Sequence, residues 1–441
     1  MPPSSEKRVK PLSVEREIAV DYLARVEGEG AMYLKLRGEE VLDLKFKIFE
    51  PPRFYEAFLR GRRFSEAPDI TARICGICPI AYQTSACNAM ESAAGVELTG
   101  GLRALRRLIY CGEWIESHSL HVFFLHAPDF LGYDSALAMA NDFPEQVQMG
   151  LKLKKIGNQI MTLIGGREIH PINIRVGGFF RVPTKTELES LVPDLEWALE
   201  AAMATTKWIS DLPFPDFERD YEFVALQHPD EYAIHEGRIV SNRGLDIGVD
   251  EWDDHFEETH VAWSNALHAR RKNGGAYHLG PMARYSLNSE QLTPAAKEIA
   301  RVAGLGPTCL NPFRSIIVRA VEIAFACEEA LRLIDGYVRP EAPSIEVEPR
   351  DAIGHGASEA PRGTLYHQYQ IDSGGLIIDA HIVPPTSQNQ LSIEDDLRAY
   401  VVGRTQLTDD QLQWQLEQAI RCYDPCISCA THFLDLTVDR E

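Results

Sequence analysis

Apolar and polar residues alternate over Met32, Leu34 and Leu36 and again over Leu42, Leu44, Phe46 and Ile48. This is the period-two pattern of strands with one face in a core, and Gly38, Glu39 and Glu40 join the two runs into a predicted β-hairpin. From Leu102 to Phe124 the pattern changes: Leu105, Leu108, Ile109, Gly112 and Ile115 recur at helical spacing. Ile316, Ala320, Ile323, Ala324, Cys327, Leu331 and Ile334 do the same, so two long, deeply buried helices are expected. Further helices are predicted over 140–163, 185–209 and 292–303, and the proline-rich, acidic stretch 338–352 reads as a loop.

After that loop, Leu365 to Ile371 and Leu376 to Val383 flank Ser373-Gly374-Gly375, a second predicted hairpin. Such a hairpin brings Glu359–Gly363 and Pro384–Asn389 side by side as two irregular polar loops, a common setting for function. A last helix starts at Thr408, capped through Gln411, and runs to Cys422. The expected fold is mainly α with small β-hairpins. A single domain spans 1–441, with an N-terminal tail over 1–14.

Composition narrows the function. With 44 Lys and Arg against 65 Asp and Glu, the net charge is -21, and no basic cluster is dense enough for nucleic acid. No apolar run reaches the roughly 18 residues of a membrane span, and MPPSSEKRVK lacks the apolar core of a secretory signal. The nine cysteines are dispersed over a long chain, which fits reduced thiols in a cytoplasm better than a disulfide framework.

Two Cys-x-x-Cys pairs stand apart: Cys75 with Cys78, and Cys426 with Cys429. Pro79 and Asp424-Pro425 suggest that each pair enters a helix, and helix N-termini favour the thiolate that binds metal. Spacing alone leaves structural zinc open, and disulfide exchange as a weaker option because no βαβ pattern surrounds either pair. The pairs lie about 350 residues apart in a large helical body, unlike the compact ribbons of structural zinc. That separation points to a central catalytic metal whose binding closes the fold.

The wording of the segments carries more. RICGICPIAYQTSACNAME and YDPCISCATHF resemble the two cysteine motifs of nickel-iron hydrogenase large subunits. ARVEGEG, GGREIHPINIRVGGF, LGPMARY, EAPRGTLYHQYQID and VPPTSQN extend the resemblance over nearly the whole chain. Pro79, Tyr82, VPPTSQN and DPCISCATHF look most like the cytoplasmic NAD(P)-coupled hydrogenases and sulfhydrogenases.

The resemblance implies the nickel-iron hydrogenase large-subunit fold and reversible heterolytic cleavage of dihydrogen. All four cysteines would bind nickel, Cys78 and Cys429 also holding an iron that carries cyanide and carbon monoxide. Cys426 would be the first proton acceptor and Glu27 of ARVEGEG the next. Arg362, after Pro361, would stand over the site with its charge fixed by Asp424. Glu56 and His432 would bind magnesium, and Phe433 to Glu441 would be a C-terminal extension. His118 and His121 would lie near the site, and His170 in a turn. Without the resemblance, Glu27 is a hairpin-edge carboxylate, Arg362 a surface arginine, Asp424 a helix cap and most of the histidines core residues.

Departures from the family pattern alter the surroundings: Tyr82 and Ser117 stand where many relatives have histidine and aspartate. Pro385 stands where a hydroxyl would bind cyanide, so Thr386 or Ser387 would substitute. Cys87, Cys111, Cys309, Cys327 and Cys422 match no ligand position and read as buried packing. No cysteine motif remains for an iron-sulfur cluster. The resemblance therefore implies an iron-sulfur small subunit and ferredoxin-like and flavin- (FAD) and NAD(P)-binding partners. The alternatives are a structural-zinc protein and a metal-binding or electron-transfer relative of the quinone-site core subunit of respiratory complex I.

Overall fold

The computed structural model describes residues 15–431. The expected tail over 1–14, the extension over 433–441 and His432 lie outside them.

The N-terminal hairpin forms as β2 (Gly30–Arg37) and β3 (Glu40–Ile48), and an unpredicted strand, β1 (Glu15–Val20), pairs antiparallel with β2. Only Ile18 and Val20 of β1 are buried apolar residues, too few to read as alternation. Next come α1 (Pro79–Ala94), α2 (Gly100–Leu120), α3 (Pro144–Gly165), α4 (Val192–Ser210) and α5 (Ser315–Asp335). The predicted helix over 185–209 is in fact two, Lys185–Glu189 and α4. Pro193 explains the break, because it has no N–H and its ring clashes with a preceding carbonyl. The helix predicted to Phe124 is α-helical to Leu120 and continues as a π-turn over His121–His126, a distortion frequent at functional sites. Among the described residues no helix is long and apolar enough to cross a membrane.

The second hairpin is part of a three-stranded sheet, β4 (Ala352–Ala360), β5 (Gly363–Ile371) and β6 (Ile377–Val383). AIGHGASEA, the sequence of β4, lacks the alternation of a half-buried strand because it lies against α1. A Cβ on Gly354 would stand 2.0 Å from the Ala89 carbonyl, and one on Gly356 2.3 Å from that of Ser85. The two expected polar loops are indeed neighbours, since a Cβ on Gly363 would meet Pro385 at 3.2 Å. Neither is irregular, however. Residues 359–363 form the tight β4–β5 turn, and Pro385 opens α6 (Pro385–Val401), where a proline's fixed φ suits the first helical turn. α7 (Asp409–Arg421) is capped by the Thr408/Gln411 box as predicted.

α5 runs through the centre and packs on α2 and α4, while α2 crosses α3. At that crossing a Cβ on Gly157 would lie 2.5 Å from the Gly112 carbonyl and 2.6 Å from the Glu116 amide. Backbone cannot yield as a flexible side chain does, so Gly157→Ala is expected to lower stability by about 1–3 kcal/mol, measured by thermal unfolding.

Candidate metal centre

Cys75 and Cys78 lie in the turn before α1. Cys78 is its N-cap and Pro79 its first residue, as predicted. Cys426 and Cys429 lie beyond α7 in a segment with a single 3-10 turn over Ser428–Ala430. The expected helix start at Asp424-Pro425 does not form: Asp424 is left-handed, at φ 53°, whereas an N-cap residue is extended.

The two segments bring all four sulfurs within 4.8 Å of one another. Cys75 and Cys78 are 2.7 Å apart and Cys426 and Cys429 2.6 Å, with 3.6 Å from Cys75 to Cys426 and 3.7 Å from Cys78 to Cys429. All are buried and none is in a disulfide. Burial pushes the thiols of Cys78, Cys426 and Cys429 up. At Cys75 burial is outweighed by hydrogen bonds from Cys426, Cys429 and Cys78 and by the charge of Arg362, and its thiol falls well below the ordinary value. Burial opposes ionisation of most of the cluster, and a bound cation would favour the thiolate at every sulfur. Four buried sulfurs converging on one point suit a soft or borderline metal such as nickel or iron.

Polar groups surround the sulfurs. Glu27 lies beside Cys426 in a parallel bridge, and its carbonyl accepts from the Ile427 amide at 2.9 Å. Its Oε2 accepts from Cys426 Sγ and from the Ser428 amide, both at 3.1 Å, and its Oε1 from the Ser428 hydroxyl. The Thr386 hydroxyl accepts the Cys426 amide at 3.0 Å. Arg362 donates Nε to the Asp424 carbonyl at 2.7 Å and Nη2 to Asp424 Oδ1 at 3.1 Å. Its Nη1, Asp424 Oδ2 and the Tyr82 hydroxyl are buried without partners, as expected of groups that would face a bound metal centre and its ligands. Pro361 is held from behind, its carbonyl accepting Arg284 Nη2 at 3.0 Å.

The other predicted residues are spread more widely. His121 donates Nε2 to the Arg421 carbonyl at 2.8 Å, and burial, with Arg319 and His126, keeps it neutral. His118 bonds Glu322 at 2.8 Å, and His170 bonds the Ala72 carbonyl just before the first cysteine motif. Glu56 accepts the Ile382 amide at 2.8 Å, and burial pushes its carboxyl up to about 7. Ser117 is buried with an unpaired hydroxyl, and Cys87, Cys111, Cys309, Cys327 and Cys422 are buried and free.

Three supporting residues escaped the sequence reading. Glu113, on the buried α2, accepts the Ile80 and Ala81 amides at 2.6 and 3.1 Å, capping the helix that Cys78 begins. Its signal is a carboxylate within a stripe of apolar neighbours. Arg53 joins the two cysteine motifs by donating Nη2 to the carbonyls of Ile74 and Ser428. Arg319, near the start of α5, donates to the Cys422 carbonyl at 3.1 Å.

The nickel-dependent hydrogenase family model matches residues 53–148 and 250–432, which include all four clustered cysteines. The chain belongs to the nickel-dependent hydrogenases. Sulfhydrogenase 1 subunit alpha of Pyrococcus furiosus is 33% identical over 423 residues, 95% of this chain and 98% of that one. NAD-reducing hydrogenase HoxS subunit beta of Cupriavidus necator is 28% identical over 96% of each chain. A crystal structure of an NAD+-reducing nickel-iron hydrogenase in the H2-reduced state superposes with a TM-score of 0.86 at 26% identity, covering 95% of this chain and 99% of that one. This hydrogenase chain is thus a large catalytic subunit with a nickel-iron site built on its cysteine cluster, which decides against the structural-zinc and complex I alternatives.

In this hydrogenase, Glu113→Ala would strip two buried amides of their acceptor, at about 1–3 kcal/mol each. A lower midpoint of thermal unfolding and a reduced nickel content of the purified protein are the expected outcomes.

Proposed function

We propose that this subunit splits dihydrogen reversibly, handing protons to Glu27 and electrons to an iron-sulfur small subunit and from there to flavin- and NAD(P)-binding subunits. The carrying observation is the placement of Cys426 Sγ at 3.1 Å from Glu27 Oε2, with the charge of the buried Arg362–Asp424 pair acting on the same cluster. Cys75, Cys78, Cys426 and Cys429 would hold nickel, with Cys78 and Cys429 shared with an iron bearing cyanide and carbon monoxide. When bound, this metal pair supplies the Lewis acidity and the electron sink that heterolytic cleavage needs.

The chain's own residues do the rest. Cys426 takes the proton at sulfur and passes it to Glu27 Oε2 along the hydrogen bond already formed, and the half-buried Glu27 carries it towards solvent. Thr386 fixes the Cys426 backbone, so the distance from sulfur to carboxylate is set before reaction. Arg362 provides a fixed positive charge in a dry site, where it acts more strongly than in water. Its unpaired Nη1 and the neighbouring Pro361 would face the diatomic ligands, as would the hydroxyl proton of Thr386. His121 would complete that wall.

Glu56, with His432, would bind magnesium next to the C-terminal motif. The electron partners follow from the chain's lack of further cysteine motifs and from relatives named as alpha or beta subunits. We place the assembly in the cytoplasm on its nine free thiols, and read residues 15–431 as one domain because a single main core joins both cysteine motifs to α2 and α5.

Infrared spectroscopy of the native complex tests the metal assignment: bands of metal-bound cyanide and carbon monoxide should be present and should vanish in Cys429→Ala. Zinc alone in a fully assembled complex without such bands would refute it. Glu27→Gln is expected to slow exchange between dihydrogen and solvent deuterons by roughly 10²–10⁴-fold while nickel content and the infrared bands persist.

A further inference from the structure

Two arginines buried in this core are treated very differently by the fold. Arg284 uses all of its donors: Nε and Nη2 on Glu322, Nη1 on Glu359 and the Ala360 carbonyl, and Nη2 also on the Pro361 carbonyl. Arg319 is equally buried, at 1% exposure. Among the described residues it makes one hydrogen bond, from Nη1 to the Cys422 carbonyl, and its Nε has no partner. Among the described residues no carboxylate reaches it in an ion pair. A buried charge so poorly satisfied costs stability, and removing the charge would relieve that cost. The fold keeps it nonetheless, and the opposite charges that act on it most are Asp424 and then Glu322, opposed by the like charges of Arg362 and Arg284.

Arg319 is also part of a clamp. Ser315, one turn earlier on α5, donates its hydroxyl to the same Cys422 carbonyl at 2.9 Å, and His121 holds the preceding carbonyl, that of Arg421. Two successive carbonyls at the end of α7 are therefore pinned by three side chains from two helices. The next residues are Tyr423 and the left-handed Asp424 that anchors Arg362. Ser315 and His121 supply hydrogen bonds alone, whereas Arg319 adds a full positive charge on the Asp424 side of the site.

We propose that Arg319 is a positioning residue of the hydrogenase site, acting through Asp424: its hydrogen bond sets the turn that presents Asp424 to Arg362, and its charge raises the electrostatic potential at the metals. The proposal rests on the roles assigned above to Arg362 and Asp424. Hydrogen-bond geometry and charge can be separated, because Ser315→Ala weakens the clamp without touching the charge, Arg319→Lys keeps the charge, and Arg319→Met removes it.

The test is a potentiometric titration of nickel in the purified holoenzyme, followed by its paramagnetic resonance signal, with kcat and KM for dihydrogen measured alongside. In Arg319→Met the nickel midpoint potential should move to a more negative value, since loss of a nearby positive charge favours the oxidised metal. The kcat should fall roughly 10–100-fold with KM little changed. Arg319→Lys should restore most of the potential, and Ser315→Ala should leave it in place. An Arg319→Met enzyme with wild-type potential and kcat and only a lower unfolding temperature overturns the proposal, as does a Ser315→Ala shift as large as that of Arg319→Met. If Arg319→Met fails to load nickel, the lysine variant decides: a wild-type potential supports the role of charge, and a failure equal to that of methionine refutes it. A wild-type holoenzyme without any nickel signal would instead refute the proposed function itself.

Discussion

Four cysteine sulfurs from opposite ends of a chain cannot share a dry volume unless something offsets their charge. Burial raises the cost of every thiolate, and the upward push on Cys78, Cys426 and Cys429 expresses that cost. The surrounding structure answers it with cations in fixed places. Arg362 acts on the sulfurs and is held by Asp424, while Arg284 holds the Pro361 carbonyl and Arg319 holds the Cys422 carbonyl two residues before Asp424. Hydrogen bonds to charged groups contribute about 1.5–3 kcal/mol apiece where fully formed, so the three from Arg284 to Glu359, Ala360 and Pro361 make the β4–β5 turn one of the firmer points of the fold.

The C-terminal motif has little regular structure to hold it. Its order comes from side chains on better-anchored elements reaching for its backbone: Glu27 from the N-terminal segment, Thr386 from α6, Arg53 from the loop before the first motif, and His121, Ser315 and Arg319 from the helical core. Each supplies what a helix or sheet would otherwise provide internally. Two of these groups, Glu27 and Thr386, also touch Cys426, so the same contacts keep the segment folded and set the distance from its sulfur to the carboxylate.

Much of this was legible in the sequence, and the failures are instructive. The buried helices α2 and α5, the two hairpins and the capped α7 all rest on periodicity or cap chemistry, signals local to the segment. β4 was missed because its small residues are dictated by contact with α1, a tertiary demand that breaks alternation. Pro384–Asn389 follows the second hairpin and reads as a polar loop, although a proline can equally open a helix, as Pro385 does. The cysteine pairs announced themselves by spacing. Glu113, Arg53 and Arg319 did not, since their partners are backbone groups distant in sequence and no local pattern records which carbonyl or amide a side chain will meet.

The left-handed backbone of Asp424 narrows what evolution can write at that position. Glycine, asparagine and aspartate enter this region of backbone space at small cost, whereas other residues pay a steric penalty. Of the three, only aspartate brings the negative charge that meets Arg362. Conformation and electrostatics thus select the same residue independently, and a lineage drifting away from it has no silent intermediate: asparagine keeps the turn but gives up the charge, and glutamate keeps the charge but strains the turn.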